Sequence, residues 1–173
     1  MTTYRKAEPA DVPAIFTLIS RYAAERLLLA RGLDDLHASV GDFTVAVEKG
    51  RVVGCGSLKL YDVQVAEVRS LSVEPGRQSR GLGQGLMKRL LREAESLGLE
   101  TVFALTTVPG FFRKCGFQEV ARENFPAKIR RDCLSCELYP TCAEKTVARE
   151  LRPRTARVYS RPLAPHLPSL RPA

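Results

Sequence analysis

The chain has 173 residues, of which 45% are apolar and 27% charged, with a formal net charge of +8. That length supports one domain with a real core and is too short for two comfortable ones. No apolar run approaches the roughly 20 residues that span a bilayer, and the start "MTTYRKAEPADVPAI" has no apolar signal core, so a cytoplasmic protein is expected.

In chain order, a short strand at Tyr4 to Lys6 leads into a helix that Asp11 would cap, with Pro13 in its first turn. The apolar positions Ile15, Leu18, Ile19 and Tyr22 recur at helical spacing. "RLLLARGLDDLHASVG" reads as a second helix or an ordered loop. "DFTVAVEKGRVVGCGSLKLY" reads as a hairpin, since Phe43, Val45 and Val47 alternate before a tight turn at Lys49-Gly50. A third strand, "VQVAEVRSLSV", alternates over Val65, Val68 and Leu71 and ends at Val73. From Leu82 onward Leu86, Met87, Leu90, Leu91, Ala94 and Leu97 form one face of a helix that Gly98 terminates. "LETVFALTT" is a buried strand, "PGFFRKCGF" a short helix broken at Gly116, and "QEVAR" another strand. "FPAKIRRDCLSC" gives a further short helix and "EKTVAREL" a closing strand. This order describes one α/β domain with a mixed sheet, over residues 1–151, without internal repeats.

The last stretch, "RPRTARVYSRPLAPHLPSLRPA", carries five arginines and five of the eleven prolines, with no acid. The preceding body is then close to neutral, with 22 basic against 19 acidic groups. Residues 152–173 are expected to be a solvated, mostly disordered extension, the alternative being an arm for nucleic acid or an acidic partner. Five cysteines without a signal peptide argue against a disulfide framework. Cys133, Cys136 and Cys142 cluster with the start of a zinc-like spacing, but a closed zinc site needs four ligands. Cys115 could complete it only if the fold brought it near, so reduced packing cysteines and no metal are expected.

The stretch "GRQSRGLGQGL" crowds glycines at a strand-to-helix junction, where bare backbone amides at the positive end of a helix make an anion site. A dinucleotide fingerprint would need glycine at position 86, which is Leu86, and a nucleotide-hydrolase phosphate loop would need lysine where Leu82 stands. Gln78, Gly81 and Gly83 do fit the [Q/R]-x-x-G-x-[G/A] signature, and on these residues the chain resembles the GNAT superfamily of N-acetyltransferases. The preceding strand ending Val73-x-Pro75, the amphipathic helix after it and "FFRKCGF" fit the same resemblance, which runs from about Tyr4 to Leu151.

The resemblance implies a single GNAT-type domain, α/β with a mixed, mostly antiparallel central sheet flanked by helices. It also implies acetyl-CoA as cosubstrate. Leu71, Ser72 and Val73 would pair their backbone with the pantetheine arm, and a bulge near them would supply an oxyanion donor. Gln78, Ser79, Arg80, Gly81, Leu82, Gly83 and Gln84 would line the pyrophosphate, with Arg77 beside them. "FALTTVPGFFRKCGFQEV", "AEVRSLSVEP" and the "FPAKIRRDCLSC" region look like the short, stand-alone form of bacterial N-acetylglutamate synthase, at the entry to arginine synthesis.

An amine attacks a thioester only as a free base, so a proton acceptor is required. Glu67 occupies the place where several members of the superfamily carry such a base. The usual tyrosine acid of the family falls on Phe112, leaving solvent or the hydroxyls of Thr106 and Thr107. An acidic amino acid needs cations, and Arg69, two residues from Glu67 on one strand face, is the expected carboxylate clamp, with Lys59 and Lys128 as helpers. The expected partner is therefore a small amino acid, glutamate foremost, with neither membrane nor nucleic acid, and a homodimer is allowed. The competing readings are acetylation of a peptide N-terminus or polyamine, and a nucleic-acid-binding regulator that uses the tail and cysteines.

Overall fold

The structure is a computed structural model describing residues 1–78, 80–139 and 141–151. Ser79 and the expected 152–173 extension lie outside the described residues. Seven strands form one sheet in the order β1-β2-β3-β4-β5-β7-β6: β1 Thr2–Lys6, β2 Phe43–Glu48, β3 Arg51–Leu60, β4 Val65–Val73, β5 Thr101–Thr106, β6 Gln118–Glu119 and β7 Lys145–Glu150. Only the β4–β5 pair is parallel. The helices are α1 Val12–Ala24, α2 Leu33–Ala38, α3 Leu82–Ser96, α4 Pro109–Lys114 and α5 Pro126–Lys128, the last continued by a π turn over Ile129–Cys133. The expected architecture is thus observed. Two elements are shorter than expected: "QEVAR" supplies only two strand residues, and "RLLLARGLDDLHASVG" only the six-residue α2.

Alternation of side chains along each strand divides the core between the two sheet faces. On one face Leu58, Ala66, Val68, Val102, Ala104 and Val147 pack with Met87, Leu90, Leu91 and Ala94 of α3. Phe112 of α4 joins this core, 6% exposed, its ring edge-on to Phe117 at 5.4 Å. On the opposite face Phe43, Val45 and Cys55 take Val12, Ile15, Leu18 and Ile19 of α1 and Leu36 of α2. Farther along that face Phe103 stacks on Phe125, centroids 4.0 Å apart, beside Tyr61. The strip between these last two clusters, along the middle of β3 and β4, is left to polar side chains.

Two irregularities shape the sheet beside that strip. β4 pairs with β5 through Val65–Glu67 and Thr101–Phe103 only, yet β4 runs on to Val73 and β5 to Thr106. The strands therefore diverge beyond Glu67 and leave a notch. In the same part of β4 the register against β3 shifts between Cys55 and Ser57, and Ser70 takes φ +53, which marks a bulge at Ser70–Leu71. The bulge takes in Leu71, the first of the three residues near which a backbone donor is expected. Among the described residues no helix is long and apolar enough to cross a membrane.

Asp11 departs from its expected role. It precedes α1, but its carboxylate accepts two hydrogen bonds from Arg5, at 2.6 and 3.0 Å, and one from the Glu8 N–H at 2.8 Å, and none from the first turn of α1. A short 3-10 turn at Pro9–Asp11 precedes α1 and turns the side chain toward β1. The hydrogen bond from Arg5 holds the Asp11 carboxyl below the usual carboxylate range, burial acting against it. A carboxyl depressed in the folded state stabilises above its unfolded pKa of about 3.9 and loses that contribution as pH falls through the folded value. Asp11→Asn is therefore expected to cost about 1 kcal/mol at neutral pH, with the deficit closing below about pH 4; urea midpoints of both proteins across that range check it.

Candidate active site

The notch between β4 and β5 is flanked by the start of α3. Gly81 stands at the N-cap with φ +79, a conformation that costs other L-residues about 1–2 kcal/mol. The first intrahelical bond runs from the Gly85 N–H to the Gly81 carbonyl at 2.9 Å. The N–H groups of Leu82, Gly83 and Gln84 therefore precede the helical ladder and sit at the positive end of the dipole. Gly83 has a packing reason as well: a Cβ there would come within 3.2 Å of the Phe111 ring. This close approach brings α4 against the first turn of α3.

Other loop residues are tied to the scaffold. Gln78 donates to the Tyr22 hydroxyl at 2.7 Å, and that hydroxyl donates to the Val73 carbonyl at 2.5 Å, so the loop is held to the end of β4. Arg77, expected beside phosphates, is instead shared by two carboxylates, Glu48 and, at 2.7 Å, Glu74. Two anions already in reach neutralise that guanidinium. Arg80 and Gln84 are exposed, Leu82 is buried under α3, Leu71 is half-buried, and Ser72 is buried with its hydroxyl 3.2 Å from the Cys55 thiol.

Glu67, the last β4 residue paired to β5, is 3% exposed and lies at the root of the notch. It accepts from the Tyr61 hydroxyl at 2.8 Å and from Lys128 Nζ at 3.0 Å. The same two donors reach Asp132, Lys128 at 2.9 Å and Tyr61 at 2.5 Å, the one phenolic proton being shared between the two carboxylates. Arg69 approaches Glu67 at 3.6 Å and Asp132 at 3.5 Å, and Lys59 approaches Asp132 at 3.3 Å. Two carboxylates, three cations and a phenol thus share one cluster. Burial, then the nearby Glu67 and Asp132, push the Tyr61 pKa far up, so it remains a donor. Burial acts to raise the Asp132 pKa, but hydrogen bonds from Tyr61 and Lys128 and the charges of Lys128 and Arg69 more than offset it. Asp132 therefore stays anionic far below the usual range.

Beside this cluster opens a cavity of about 260 Å³ lined by Arg31, Ser57, Lys59, Arg69 and Asp132, with Asp35 of α2 and Asp42 of the turn after it. Arg31 is held by Asp35 at 2.6 Å and by Ser39 at 2.9 Å, and lies over the Phe43 ring. Of the expected acceptor residues, Arg69 and Lys59 line this cavity. Lys128 does not: its side chain is 6% exposed and its ammonium is committed to Glu67 and Asp132. Enclosure makes it a buried counter-ion in place of a ligand for substrate.

Thr106 accepts a hydrogen bond from the Val108 N–H at 3.0 Å, closing the turn into α4, and Thr107 is exposed. Tyr61, Asp132 and Arg31 were not singled out by sequence reasoning. A signal existed for one of them: Asp132 stands four residues after Lys128 in a helical stretch, the spacing of an ion pair. Among the described residues no three of His, Cys, Asp or Glu converge as metal ligands, and all five cysteines are free thiols.

The Acetyltransferase (GNAT) family pattern matches residues 12–117. The chain belongs to the GNAT acetyltransferase family. It is 36% identical over 150 residues to an uncharacterized N-acetyltransferase of Chlorobaculum tepidum, covering 87% of this chain and 97% of that one. It is 39% identical over 128 residues to an amino-acid acetyltransferase of Mycobacterium tuberculosis, covering 72% and 73%. The N-acetylglutamate synthase of Neisseria gonorrhoeae, solved with coenzyme A and N-acetyl-glutamate, superposes with a TM-score of 0.80 at 26% identity. That superposition covers 88% of this chain and only 35% of the longer enzyme. The GNAT match ends before Lys128 and Asp132.

Breaking a buried ion pair by removing one partner leaves an uncompensated charge. Lys128→Ala is expected to destabilise the protein by about 3 kcal/mol, whereas Lys59→Ala, whose side chain is 35% exposed, should cost under about 1 kcal/mol. Urea denaturation of the two variants separates these outcomes.

Proposed function

We propose that this GNAT acetyltransferase moves the acetyl group of acetyl-CoA onto the α-amino group of an acidic amino acid, L-glutamate foremost, a step at the entry to arginine synthesis. The observation that carries the reading is the cavity where Arg31, Lys59 and Arg69 converge beside Glu67 at the root of the notch. Arginines on a cavity wall suit carboxylates, which they bind by two parallel hydrogen bonds. A polyamine would find no surplus of acids there.

The donor side fits the cosubstrate. The β4 edge beyond Glu67 has no β5 partner and offers backbone groups to an amide-bearing arm, and the first-turn amides of α3 suit a pyrophosphate. Leu71 to Val73 and Gln78 to Gln84 would hold it. In the reaction the free amine attacks the thioester carbonyl, the carbon–sulfur bond breaks, and the amine loses a proton.

Glu67 is proposed to receive that proton through a water, from the cavity side. Its ties to Lys128 and Tyr61 fix its position on the face that the acceptor occupies. The departing thiolate takes a proton from solvent, directly or relayed by the Thr106 or Thr107 hydroxyl, which regains a proton from water as it donates its own, since Phe112 is packed in the core and has no proton to give.

Thiol release from acetyl-CoA against a panel of amino acids, polyamines and peptides tests the function. Glutamate is expected to be the preferred acceptor, and preference for a polyamine or a peptide would overturn the reading. Arg69→Ala should raise KM for glutamate about 10²-fold with the KM for acetyl-CoA nearly unchanged, the loss of a two-bond carboxylate contact. Glu67→Gln should lower kcat about 10²-fold or more; an unaltered rate and pH profile would remove Glu67 from the proton path.

A further inference from the structure

Asp132 occupies the place that an acidic ligand's carboxylate would take. Its Oδ1 lies 3.3 Å from Lys59 Nζ, and its Oδ2 lies 3.5 Å from Arg69 Nη1. Both separations exceed the roughly 2.7–2.9 Å of a well-made charge-assisted hydrogen bond. The other ion-pair approach of Arg69, to Glu67, is 3.6 Å. Among the described residues, then, the Arg69 guanidinium meets carboxylates only at loose distances, with its fork of donors unspent. The opposite side of Asp132 is firm, bound by Tyr61 at 2.5 Å and Lys128 at 2.9 Å. The carboxylate is anchored from behind and loosely presented to the two cations in front.

Its placement comes from an unusual piece of backbone. The helix begun at Pro126 widens into a π turn, with the Leu134 N–H bonded to the Ile129 carbonyl at 3.0 Å. Such turns recur at functional sites because they re-aim a side chain.

We propose that Asp132 is the resident counter-ion of the acceptor cavity and sets its selectivity. With the cavity empty it neutralises Lys59 and Arg69. An acidic acceptor takes over those two cations while Asp132 stays on Tyr61 and Lys128. This inference rests on the acidic-acceptor reading given above. The six charged residues lining the cavity balance, with Arg31, Lys59 and Arg69 against Asp35, Asp42 and Asp132. Asp132→Asn therefore leaves one positive charge in excess. Binding then shifts with the net charge of the ligand, favouring glutamate over its neutral isostere glutamine.

The test is calorimetric binding of L-glutamate and of L-glutamine to the full chain and to Asp132→Asn. Glutamate should bind the variant about fivefold tighter, glutamine within about twofold, and the gain should shrink at about 1 M salt. Unchanged or weaker glutamate binding, or an equal shift for both ligands, overturns the proposal. Should Asp132→Asn fail to fold by circular dichroism, Asp132→Glu carries the test. Its longer carboxylate closes on Lys59 and Arg69, so glutamate should weaken severalfold with glutamine unmoved, and unaltered glutamate binding overturns it.

Acetylation by the wild type is read separately. Glutamate that binds with the expected shifts but is not acetylated overturns the proposed function and leaves the counter-ion standing. Glutamate that is acetylated with no shift does the reverse, and a wild type that binds neither amino acid overturns both.

Discussion

The parting of β4 from β5 is the constraint on which the rest of the structure depends. A parallel pair that held its register to the end would satisfy every backbone group and leave no room between the strands. Here pairing stops at Glu67 and Phe103, and backbone that the sheet would have used is left available. Such an opening survives only if its surroundings hold it. The bulge at Ser70–Leu71 bends β4 and increases its twist, and the Leu71 side chain lies across Gly56 toward Leu90, locking the bent strand onto α3. On the β5 side, Thr106 closes the turn into α4, and α4 is pressed against the first turn of α3 through Phe111 and Gly83. The notch is thus built from packing on one sheet face and used from its edge.

The opposite face solves a harder problem, that of burying charge. Glu67 comes from a strand and Lys128 and Asp132 from one helical segment distant in sequence, and each ion taken from water costs several kcal/mol before any pairing returns it. Such a cluster is a poor way to gain stability, since apolar residues of similar volume would do as well or better. What it supplies is position. Tyr61 and Lys128 each bridge the same two carboxylates, so Glu67 at the notch and Asp132 at the cavity cannot move independently. The Phe103–Phe125 stack beneath them fixes the level at which the segment from Pro126 onward crosses the sheet.

How much of this was legible in the sequence follows from the range of the interactions. The succession of strands and helices along the chain and the α3 face from Leu82 to Ala94 are periodic, local patterns, and they read correctly, whereas Leu97, expected on that face, stands at the C-cap and is 55% exposed. Glu67 and Arg69 read as a pair because two residues on one strand share a face, and the structure places them together. Gln78, Gly81 and Gly83 are picked out by their spacing together with the strand before them and the amphipathic helix after them. What could not be read depends on partners far along the chain. Arg77 looks like a phosphate ligand until Glu48 is seen beside it, and Asp11 looks like a helix cap until Arg5 takes its carboxylate. Tyr61 and Asp132 are separated by 71 residues and carry no spacing signal toward each other. Lys128 reads as a helper to the Arg69 clamp, and nothing local announces that a lysine will be enclosed.

These two kinds of legibility mark two kinds of construction. The proposed donor side is made largely of backbone: an unpaired strand edge and the first-turn amides of a helix. Backbone geometry needs only a few glycines and a bulge from the sequence, so the same cradle can persist while most side chains change. The proposed acceptor side is made of side chains on β3 and β4, on the stretch around α2, and on the segment from Pro126 to Cys133, and that segment lies beyond the residues that the family pattern matches. Lys128 and Asp132 therefore join the site from beyond the span of the family pattern, although the likeness to one relative covers 87% of the chain. Within the proposed division the segment from Pro126 meets β4 through Glu67 and Arg69 and is held to β5 by the Phe103–Phe125 stack just before it, so a change of acceptor would have to be made by side chains on a segment that the sheet holds in place.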